Sequence, residues 1–255
     1  MNDAQLTDTL RWLLHESAKP FRACEIAAIV DSTKISQMRT AHSRWIEYGD
    51  DTRDGADWMK AHALVGAETM VVMAVEFTGS RGAGTHDGKF VLPLVQSALG
   101  TFSLKYVLGD KAYLAEAVLG ELWKLGVKAV IPLKKGWDLA TKSVYYEACE
   151  HLARWFDERQ AEFHEMYRLR VKIESFYSHL KRVADGYCWS RGRYNKTAPN
   201  AETPCTAWIN EALCKFIYVN LRTTIRIEEE TGYAIDYLCP NRFFPPIPED
   251  KKLIR

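Results

Sequence analysis

Four polar residues near the middle of the chain have types and spacing that suit the binding of a metal ion and of phosphate groups. They follow the pattern Y-x2-R-x3-E-x6-K and are Tyr167, Arg170, Glu174 and Lys181. On an α-helix, where each residue turns by about 100°, all four fall in one stripe roughly 21 Å long. A carboxylate beside two cations and a tyrosine can hold a cation and contact phosphates. The alternative is a solvated helix face with intrahelical salt bridges.

The opposite face of the same predicted helix is apolar. A helix with one polar and one apolar face packs its apolar side on a core. The apolar positions are Leu169, Ile173, Phe176, Leu180 and Val183. The spacing therefore predicts that the polar stripe lies at the protein surface.

Two further acids follow short apolar segments upstream. Residues 26–30 precede Asp31, and residues 104–108 precede Asp110 with one glycine between. Both segments are typical of buried strands, and ligands bind at the carboxyl ends of strands in open α/β sheets. Two such acids and Glu174 supply three hard oxygen ligands, which Mg²⁺ requires. The alternative for each aspartate is a cap or turn residue.

The elements that must position these residues alternate between strand and helix patterns, which predicts an α/β fold. A polar loop is predicted at 36–58. Strands are predicted at 26–31, 61–67, 70–77, 104–108 and 127–132. Helices are predicted at 3–17, 87–99, 114–125, 144–184 and 205–229, before a Pro-rich extended tail.

Composition restricts the class of protein. A chain of 255 residues can bury one full core, and 47% hydrophobic residues with 26% charged ones is ordinary for a globular domain. No segment is apolar enough to span a membrane, and no signal peptide is evident. Six cysteines without a C-x-x-C pair indicate reduced thiols rather than structural zinc. We therefore predict a cytoplasmic protein without a membrane partner.

The net charge is only +1, but the positive charge is concentrated in one region. Residues 168–196 hold eight lysines and arginines against two acids, with aromatic residues between them. Such a patch suits phosphate contacts with some base stacking. Its cations outside the stripe include Arg182, Arg191 and Arg193, and its aromatic residues are Tyr177, Tyr187, Trp189 and Tyr194. The alternative is an arginine-rich loop that serves solubility.

Local motifs along the chain, together with this signature, resemble DDE transposases of bacterial insertion sequences. They run in the same order from about residue 25 to about residue 226. The strongest is the segment 173–182. The others are Asp31-Ser32-Thr33, Lys60-Ala61-His62 with the hairpin after it, Thr85-His86-Asp87, Gly109–Tyr113 and Gly126–Pro132. The resemblance implies an α/β fold with a ribonuclease-H-like mixed sheet flanked by helices.

The resemblance also implies a reaction, which is metal-dependent DNA strand cleavage and strand transfer at the ends of an insertion sequence. Asp31 would bridge two Mg²⁺ or Mn²⁺ ions, while Asp110 and Glu174 would hold one ion each. The implied DNA-binding residues are Tyr167, Arg170, Lys181, Arg182, Arg191 and Arg193. The implied partners are double-stranded DNA, as element ends and target, and a second copy of the chain on that DNA. The protein would be nucleoid-associated when bound.

The expected organisation is a short N-terminal helical segment (1–24), a catalytic core (25–184), a basic loop with a C-terminal helix (185–239) and a Pro-rich tail (240–255). Only 30 residues precede Asp31, whereas the family usually carries a helical DNA-recognition region there. The chain therefore looks N-terminally short. We expect mostly non-specific DNA affinity, roughly 10⁻⁴–10⁻⁶ M. Glu174 follows Asp110 by 64 residues, which leaves no room for a large inserted β domain.

Other functions remain open at this point. The chain could be an inactive or domesticated transposase remnant that only binds DNA, or a ribonuclease-H-like metal-dependent nuclease. A nucleotide-binding or sugar-binding α/β protein is disfavoured, because the chain has neither a G-x-G-x-x-G nor a Walker loop. Retention of all three acids argues against an inactive remnant.

Overall fold

The centre of the fold is a mixed sheet whose longest strand carries Asp31. The computed structural model describes residues 2–37, 58–79, 86–135, 137, 144–190 and 204–232. The strands are β1 (Ala27–Gln37), β2 (Trp58–Gly66), β3 (Val72–Thr78), β4 (Tyr106–Leu108), β5 (Lys128–Val130) and β6 (Tyr187–Cys188). Their order is β3-β2-β1-β4-β5, and β6 pairs with the far end of β1.

Strand polarity completes the topology. β1, β2 and β3 form an antiparallel meander, whereas β4 and β5 run parallel to β1. This order and polarity, with helices flanking the sheet, is the ribonuclease-H-like arrangement that the resemblance implied, and the α/β class is the one that the alternation of elements predicted. The central strands are buried on both faces, which explains their continuous apolar runs.

Seven α-helices within the described residues flank the sheet. They are α1 (Ala4–Ala18), α2 (Gly88–Leu99), α3 (Glu116–Lys124), α4 (Tyr146–Glu158), α5 (Gln160–Arg168), α6 (Lys172–Val183) and α7 (Thr206–Thr231). α1 and α7 pack on each other and on β3, α2 packs on β2 and β3, and α6 contacts β1. None of these helices is both long and apolar enough to cross a membrane.

A buried carboxylate fixes the turn between β2 and β3. Glu25 is fully buried and accepts hydrogen bonds from the backbone N–H groups of Glu68 (3.1 Å) and Thr69 (2.6 Å). Burial raises the pKa of Glu25. Gly66 leaves room for the Glu25 side chain, since a Cβ at position 66 would lie against Glu25 Oε1 and would force that carboxylate to shift. Lys172 at the start of α6 donates to the Ala67 carbonyl (2.8 Å), which ties α6 to this turn.

Two predicted boundaries were wrong. β1 does not end at Asp31 but continues to Gln37, because β2 pairs with it as far as Ser36. The predicted helix 144–184 is three α-helices. Arg159 leaves helical geometry (φ −125°, ψ 49°) between α4 and α5, and a 3₁₀ turn at Leu169–Val171 joins α5 to α6.

Several predicted features lie outside the described residues. These are most of the polar loop at 36–58, the glycine-rich link at 80–85, most of the basic loop at 134–142 and the Pro-rich tail. Arg191 and Arg193 also lie outside them.

Candidate active site

Strand pairing places Asp31 and Asp110 side by side. β1 and β4 are parallel, and Ile29 pairs with Leu108. Ile29 stands two positions before Asp31, and Leu108 stands two positions before Asp110. The two acids therefore lie at the same level on neighbouring segments of the sheet, where strands are about 5 Å apart. Asp31 occupies the middle of β1 at the point where β4 ends.

Backbone hydrogen bonds fix one oxygen of each aspartate. Asp31 Oδ1 accepts from the Ser32 N–H (2.9 Å), and Asp110 Oδ1 accepts from the Ala112 N–H (2.7 Å). The second bond also caps the 3₁₀ turn at Lys111–Tyr113. The Oδ2 atoms of both residues remain directed at a common cation, Arg170.

Glu174 reaches the same place from α6. The helix is held by its apolar face, in which Ile173, Phe176 and Leu180 are buried as predicted. Glu174 lies in the first turn of α6, and its side chain is 71% exposed. The carboxylate is thus free to change its rotamer, whereas the two aspartates are fixed by the backbone.

Arg170 stands among all three acids. Its Nη2 lies 3.9 Å from Asp31 Oδ2 and 4.0 Å from Asp110 Oδ2, and its Nη1 lies 3.9 Å from Glu174 Oε1. Its Nε is buried without a hydrogen-bond partner among the described residues. The phosphate contact predicted for Arg170 stays a prediction. The expected straight helix was wrong, because Arg170 belongs to the 3₁₀ turn before α6. In the structure its guanidinium is the common neighbour of the acids.

The pKa of Asp31 reflects the burial of its side chain and the charged groups around it. Burial raises the pKa of Asp31, and the charges of Asp110 and Asp87 raise it further. The Ser32 N–H and the Arg170 guanidinium act in the opposite direction without cancelling the effect. Asp31 is therefore an acid whose ionised form needs a nearby cation.

The donor set fits a divalent cation. Three carboxylates already face one positively charged group, and carboxylate oxygens are the ligands that Mg²⁺ and Mn²⁺ prefer. In the part of the chain that the structure describes, no three His, Cys, Asp or Glu residues are arranged as a ready metal cluster. The guanidinium lies between the acids instead, so cation binding at this position requires Arg170 and Glu174 to move.

The other predicted contacts surround this centre. Tyr167 is half-buried, its ring stacks on Phe163 (6.1 Å between centroids), and burial raises its pKa. Lys181 and Arg182 lie in the last turn of α6 and are exposed. Their side chains are accessible to a polyanion, about 10 Å along the helix from Glu174.

One supporting residue was missed by the sequence analysis. Tyr177 was grouped with aromatic residues that could stack on bases, but it is buried and its hydroxyl donates to the Asp31 carbonyl (2.8 Å). Tyr177 stands three residues after Glu174, so it ties the helix that carries Glu174 to the strand that carries Asp31. Its position at the border of the polar and apolar faces left its burial undecided in the sequence.

A buried histidine supports the other side of β1. His62 pairs with Ser32 across the β1–β2 ladder and stacks on Phe90 (4.0 Å). Its Nε2 lies 2.9 Å from Thr78 Oγ1, and its Nδ1 lies 3.2 Å from Asp87 Oδ1. His62 is thus packed between the β2–β3 hairpin and α2.

Asp87 is held ionised in this cluster. Burial alone would raise its pKa, but hydrogen bonds from His62 and Lys60 lower it to about 2. His86 next to it accepts a hydrogen bond from the Gly88 N–H (3.3 Å) with Nδ1, one position before the N-cap residue Asp87 of α2. Asp87 thus adds a fixed negative charge near Asp31.

We expect Tyr177→Phe to reduce stability by about 1–2 kcal/mol, because a buried hydrogen bond to the Asp31 carbonyl is lost. Urea denaturation measures the change. Tyr218→Phe is the matched control, since the Tyr218 hydroxyl is exposed and only accepts from Arg222 (3.3 Å). It should change stability by less than about 0.5 kcal/mol. Equal effects of the two substitutions would contradict an anchoring role for Tyr177.

Comparison with known proteins gives one family. The family described as "Transposase DDE domain" matches residues 22–195. No curated protein matches the chain.

Solved structures with some similarity include a pre-cleavage Mos1 transpososome (13% identity, TM-score 0.30) and the Mos1 mariner paired end complex with Mn (13% identity, TM-score 0.29). The first match covers 73% of this chain and 63% of the Mos1 chain, and the second covers 74% and 64%. This chain thus spans less than two thirds of the Mos1 chains.

Proposed function

The chain belongs to the Transposase DDE domain family, and on that premise we propose that it cleaves DNA strands at the ends of an insertion sequence and transfers them to target DNA. The observation that carries this proposal is the meeting of Asp31, Asp110 and Glu174 around one cationic group. These acids come from two strands and a helix that are distant in sequence. Such convergence is what a metal-dependent phosphodiester reaction requires.

Each acid has a distinct proposed role. Asp31, Asp110 and Glu174 would hold two Mg²⁺ or Mn²⁺ ions, with Asp31 as the ligand common to the site and Asp110 and Glu174 as ligands of one ion each. The ions would supply Lewis-acid activation of the attacking oxygen and charge stabilisation of the leaving oxygen in an in-line displacement. The backbone bonds of Asp31 and Asp110 keep their oxygens in place, and the exposed Glu174 adjusts to complete the site.

The cations bind the DNA backbone. When Arg170 moves away from the acids, its planar guanidinium contacts a phosphate with two parallel hydrogen bonds. Tyr167 contacts the same DNA strand beside it. Lys181 and Arg182 contact phosphates about 10 Å away, which is the rise of roughly three nucleotides. Arg191 and Arg193, which the sequence predicts as DNA-binding residues, are included in this proposal as further phosphate contacts. Together these residues place the scissile phosphate between the acids without reading the base sequence.

The proposed partners follow from the reaction. Double-stranded DNA is both substrate and target, and two copies of the chain assemble on it so that two ends are processed together. The proposed location is the cytoplasm, at the nucleoid when DNA is bound.

The test is a cleavage assay on duplex DNA that carries the terminal repeats found beside the gene. We expect Mg²⁺-dependent nicks that leave 3′-hydroxyl ends, and none in EDTA. Glu174→Gln should reduce the cleavage rate by more than about a thousandfold, or roughly 4 kcal/mol of barrier, while the Kd for the duplex stays within about threefold. Glu229→Gln, an exposed change at the end of α7, is the control and should leave both quantities unchanged.

A second assay separates the alternatives. A pre-cleaved end with a 3′-hydroxyl is incubated with target plasmid and Mg²⁺, and joined products are counted. Joining supports a transposase. Cleavage without joining would indicate a ribonuclease-H-like nuclease, and duplex binding without either reaction would indicate an inactive remnant.

A further inference from the structure

The outer face of α7 carries a row of apolar side chains that stays exposed among the described residues. The inner face of this helix is buried and packs on α1, α6 and β3. On the outer face, Tyr218 and Leu221 are each 43% exposed and Ile225 is 53% exposed. Cys214 is exposed one turn before them. We call these four residues the α7 seam.

The spacing of the α7 seam is that of a coiled-coil stripe. Its members are separated by four, three and four residues, which is the alternation of the two apolar positions in a heptad. At 1.5 Å per residue the row is roughly 17 Å long. A row of this kind packs against a second helix, because its side chains stay on one side of their own helix over about three turns.

Positive charge flanks the α7 seam on the side that faces α6. Arg182 on α6 lies 3.4 Å from the Nδ1 atom of His179. Burial lowers the pKa of His179, and the charges of three arginines lower it further, namely Arg182, Arg222 and Arg226. Arg226 forms an ion pair with Glu230 (4.0 Å), so the flank as a whole keeps an excess of positive charge.

The same helix ends in three consecutive acids, Glu228, Glu229 and Glu230, of which the last two are exposed. The outer face of α7 therefore combines an apolar row, a positive flank at its middle and a negative end. Such a face is complementary to itself when one copy is turned end for end. Self-complementarity of one surface is the property of an interface with two-fold symmetry.

We propose that the α7 seam packs in antiparallel orientation on the α7 seam of a second copy of this chain. The choice of a second copy rests on the proposed function, in which two copies act together, but the pairing itself needs neither DNA nor metal. In an antiparallel heptad pair, Leu221 lies against Ile225 of the second copy, and the two-fold axis repeats this contact. The same register brings Arg222 beside Glu229 of the second copy.

Charge decides between this register and its alternatives. A shift by one heptad would pair Tyr218 with Leu221, but it would also bring the two Arg222 side chains together, and like charges at neighbouring positions destabilise a helix pair. In a parallel pair the positions opposite Arg222 are Ile217 and Thr224, which carry no charge. A single exposed ion pair contributes little, so neutralising one acid alone leaves the assembly in place.

The pairing surface lies away from the candidate active site. His179, which faces the arginines of α7, stands two residues before Lys181 and is therefore about 160° around α6 from it. Glu174 lies on the same side of α6 as Lys181. The three acids of the site thus stay open to DNA when two copies pair.

The test is sedimentation of the full chain in EDTA and a reducing agent, without DNA, from about 1 to about 100 µM, which covers weak dimers. We expect a monomer–dimer equilibrium for the wild type. Leu221→Asp should weaken self-association about a hundredfold, or roughly 2.7 kcal/mol, because an acid enters the apolar row twice in each dimer. Leu125→Asp is the matched control and should behave like the wild type. Leu125 is 37% exposed at the end of α3, which packs on β5 at the sheet edge opposite to β3 and α7.

A charge exchange keeps the test independent of misfolding. Arg222→Glu should weaken self-association about tenfold, because it sets a like charge against Glu229 of the second copy. Arg222→Glu combined with Glu229→Arg in one chain restores opposite charges across the two-fold axis. The Kd of this double variant should return to within about threefold of the wild-type value, and failure of the rescue would overturn the proposed register.

Cysteine cross-linking reports the orientation of the two helices. Cys214→Ser removes one exposed thiol and supplies the baseline. In that background, a mixture of Leu221→Cys and Ile225→Cys chains should form more disulfide dimer than either chain alone, because a disulfide needs Cα atoms within about 7 Å. A higher yield from Leu221→Cys alone would indicate a parallel pair and would overturn the proposal.

Three further outcomes have a defined meaning. A wild type that stays monomeric throughout the concentration range would overturn the proposal. Weaker duplex binding by Leu221→Asp with unchanged self-association would assign the face to DNA and would overturn it too. A dimer that Leu221→Asp disrupts but that does not cleave DNA with Mg²⁺ would support this inference and refute the proposed function separately, because self-association is measured without DNA.

Discussion

Replacing Asp31 by asparagine is expected to abolish Mg²⁺-dependent cleavage and at the same time to make the fold more stable. Asparagine keeps an oxygen that can accept from the Ser32 N–H but loses the charge that a divalent cation requires. Burial and the neighbouring acids Asp110 and Asp87 raise the pKa of Asp31, so its ionised form is disfavoured in the folded protein. A neutral side chain removes that cost.

The sign of the pH dependence follows from the raised pKa. The favourable contribution of a carboxyl with a raised pKa is present below its unfolded pKa and is lost as pH rises through the folded value. At pH 7.5 in EDTA, Asp31→Asn should therefore be more stable by about 1 kcal/mol, or about 2–4 °C in Tm. Below about pH 3.9, where the wild-type side chain is protonated in both states, the difference should disappear.

Thermal denaturation at both pH values, together with the cleavage assay, checks this prediction. Asp8→Asn on the exposed side of α1 is the control and should change stability by less than about 0.5 kcal/mol. A lower Tm for Asp31→Asn at pH 7.5 would show that its ion pair with Arg170 outweighs its burial. Cleavage above about a tenth of the wild-type rate would exclude Asp31 as an essential ligand.

Replacing Arg170 by glutamine is expected to lower the stability of the folded protein in EDTA and to increase the stabilisation that added Mn²⁺ gives. Its guanidinium lies 3.9–4.0 Å from three carboxylates. Removing it leaves these acids without a counter-charge, which should cost about 1–3 kcal/mol at this partly buried position. A divalent cation then enters without displacing a guanidinium, so the affinity for Mn²⁺ should rise.

The measurement is Tm as a function of Mn²⁺ concentration, with calorimetric titration for the Kd. The Tm of the variant should be lower than that of the wild type in EDTA and should rise more with Mn²⁺. A ligand that binds only the folded state stabilises it by RT ln(1 + [L]/Kd), which is larger when Kd is smaller. Arg168→Gln, an exposed change in α5, is the control and should follow the wild type. A smaller gain for Arg170→Gln would mean that Arg170 supports cation binding rather than competing with it.

Much of the fold was determined by local patterns in the sequence. The apolar face of α6 was predicted from its spacing, and Ile173, Phe176 and Leu180 are buried. The strands before Asp31 and Asp110 were recognised from short apolar runs, since strands buried on both faces need apolar residues at every position. The alternation of these elements predicted the α/β class, and the order of the motifs predicted the family that the comparison confirmed.

The tertiary structure decided how the site is assembled. The level of Asp31 relative to Asp110 is set by the register of β1 and β4, which depends on packing between residues some 80 positions apart. The place of Arg170 depends on the 3₁₀ turn at Leu169–Val171, because this turn changes the rotation that a straight helix would give. The tie from Tyr177 to Asp31 and the support of Trp189 by Glu211 likewise join distant segments. Local periodicity carries no information on such contacts, since they exist only when the whole sheet and its helices have packed.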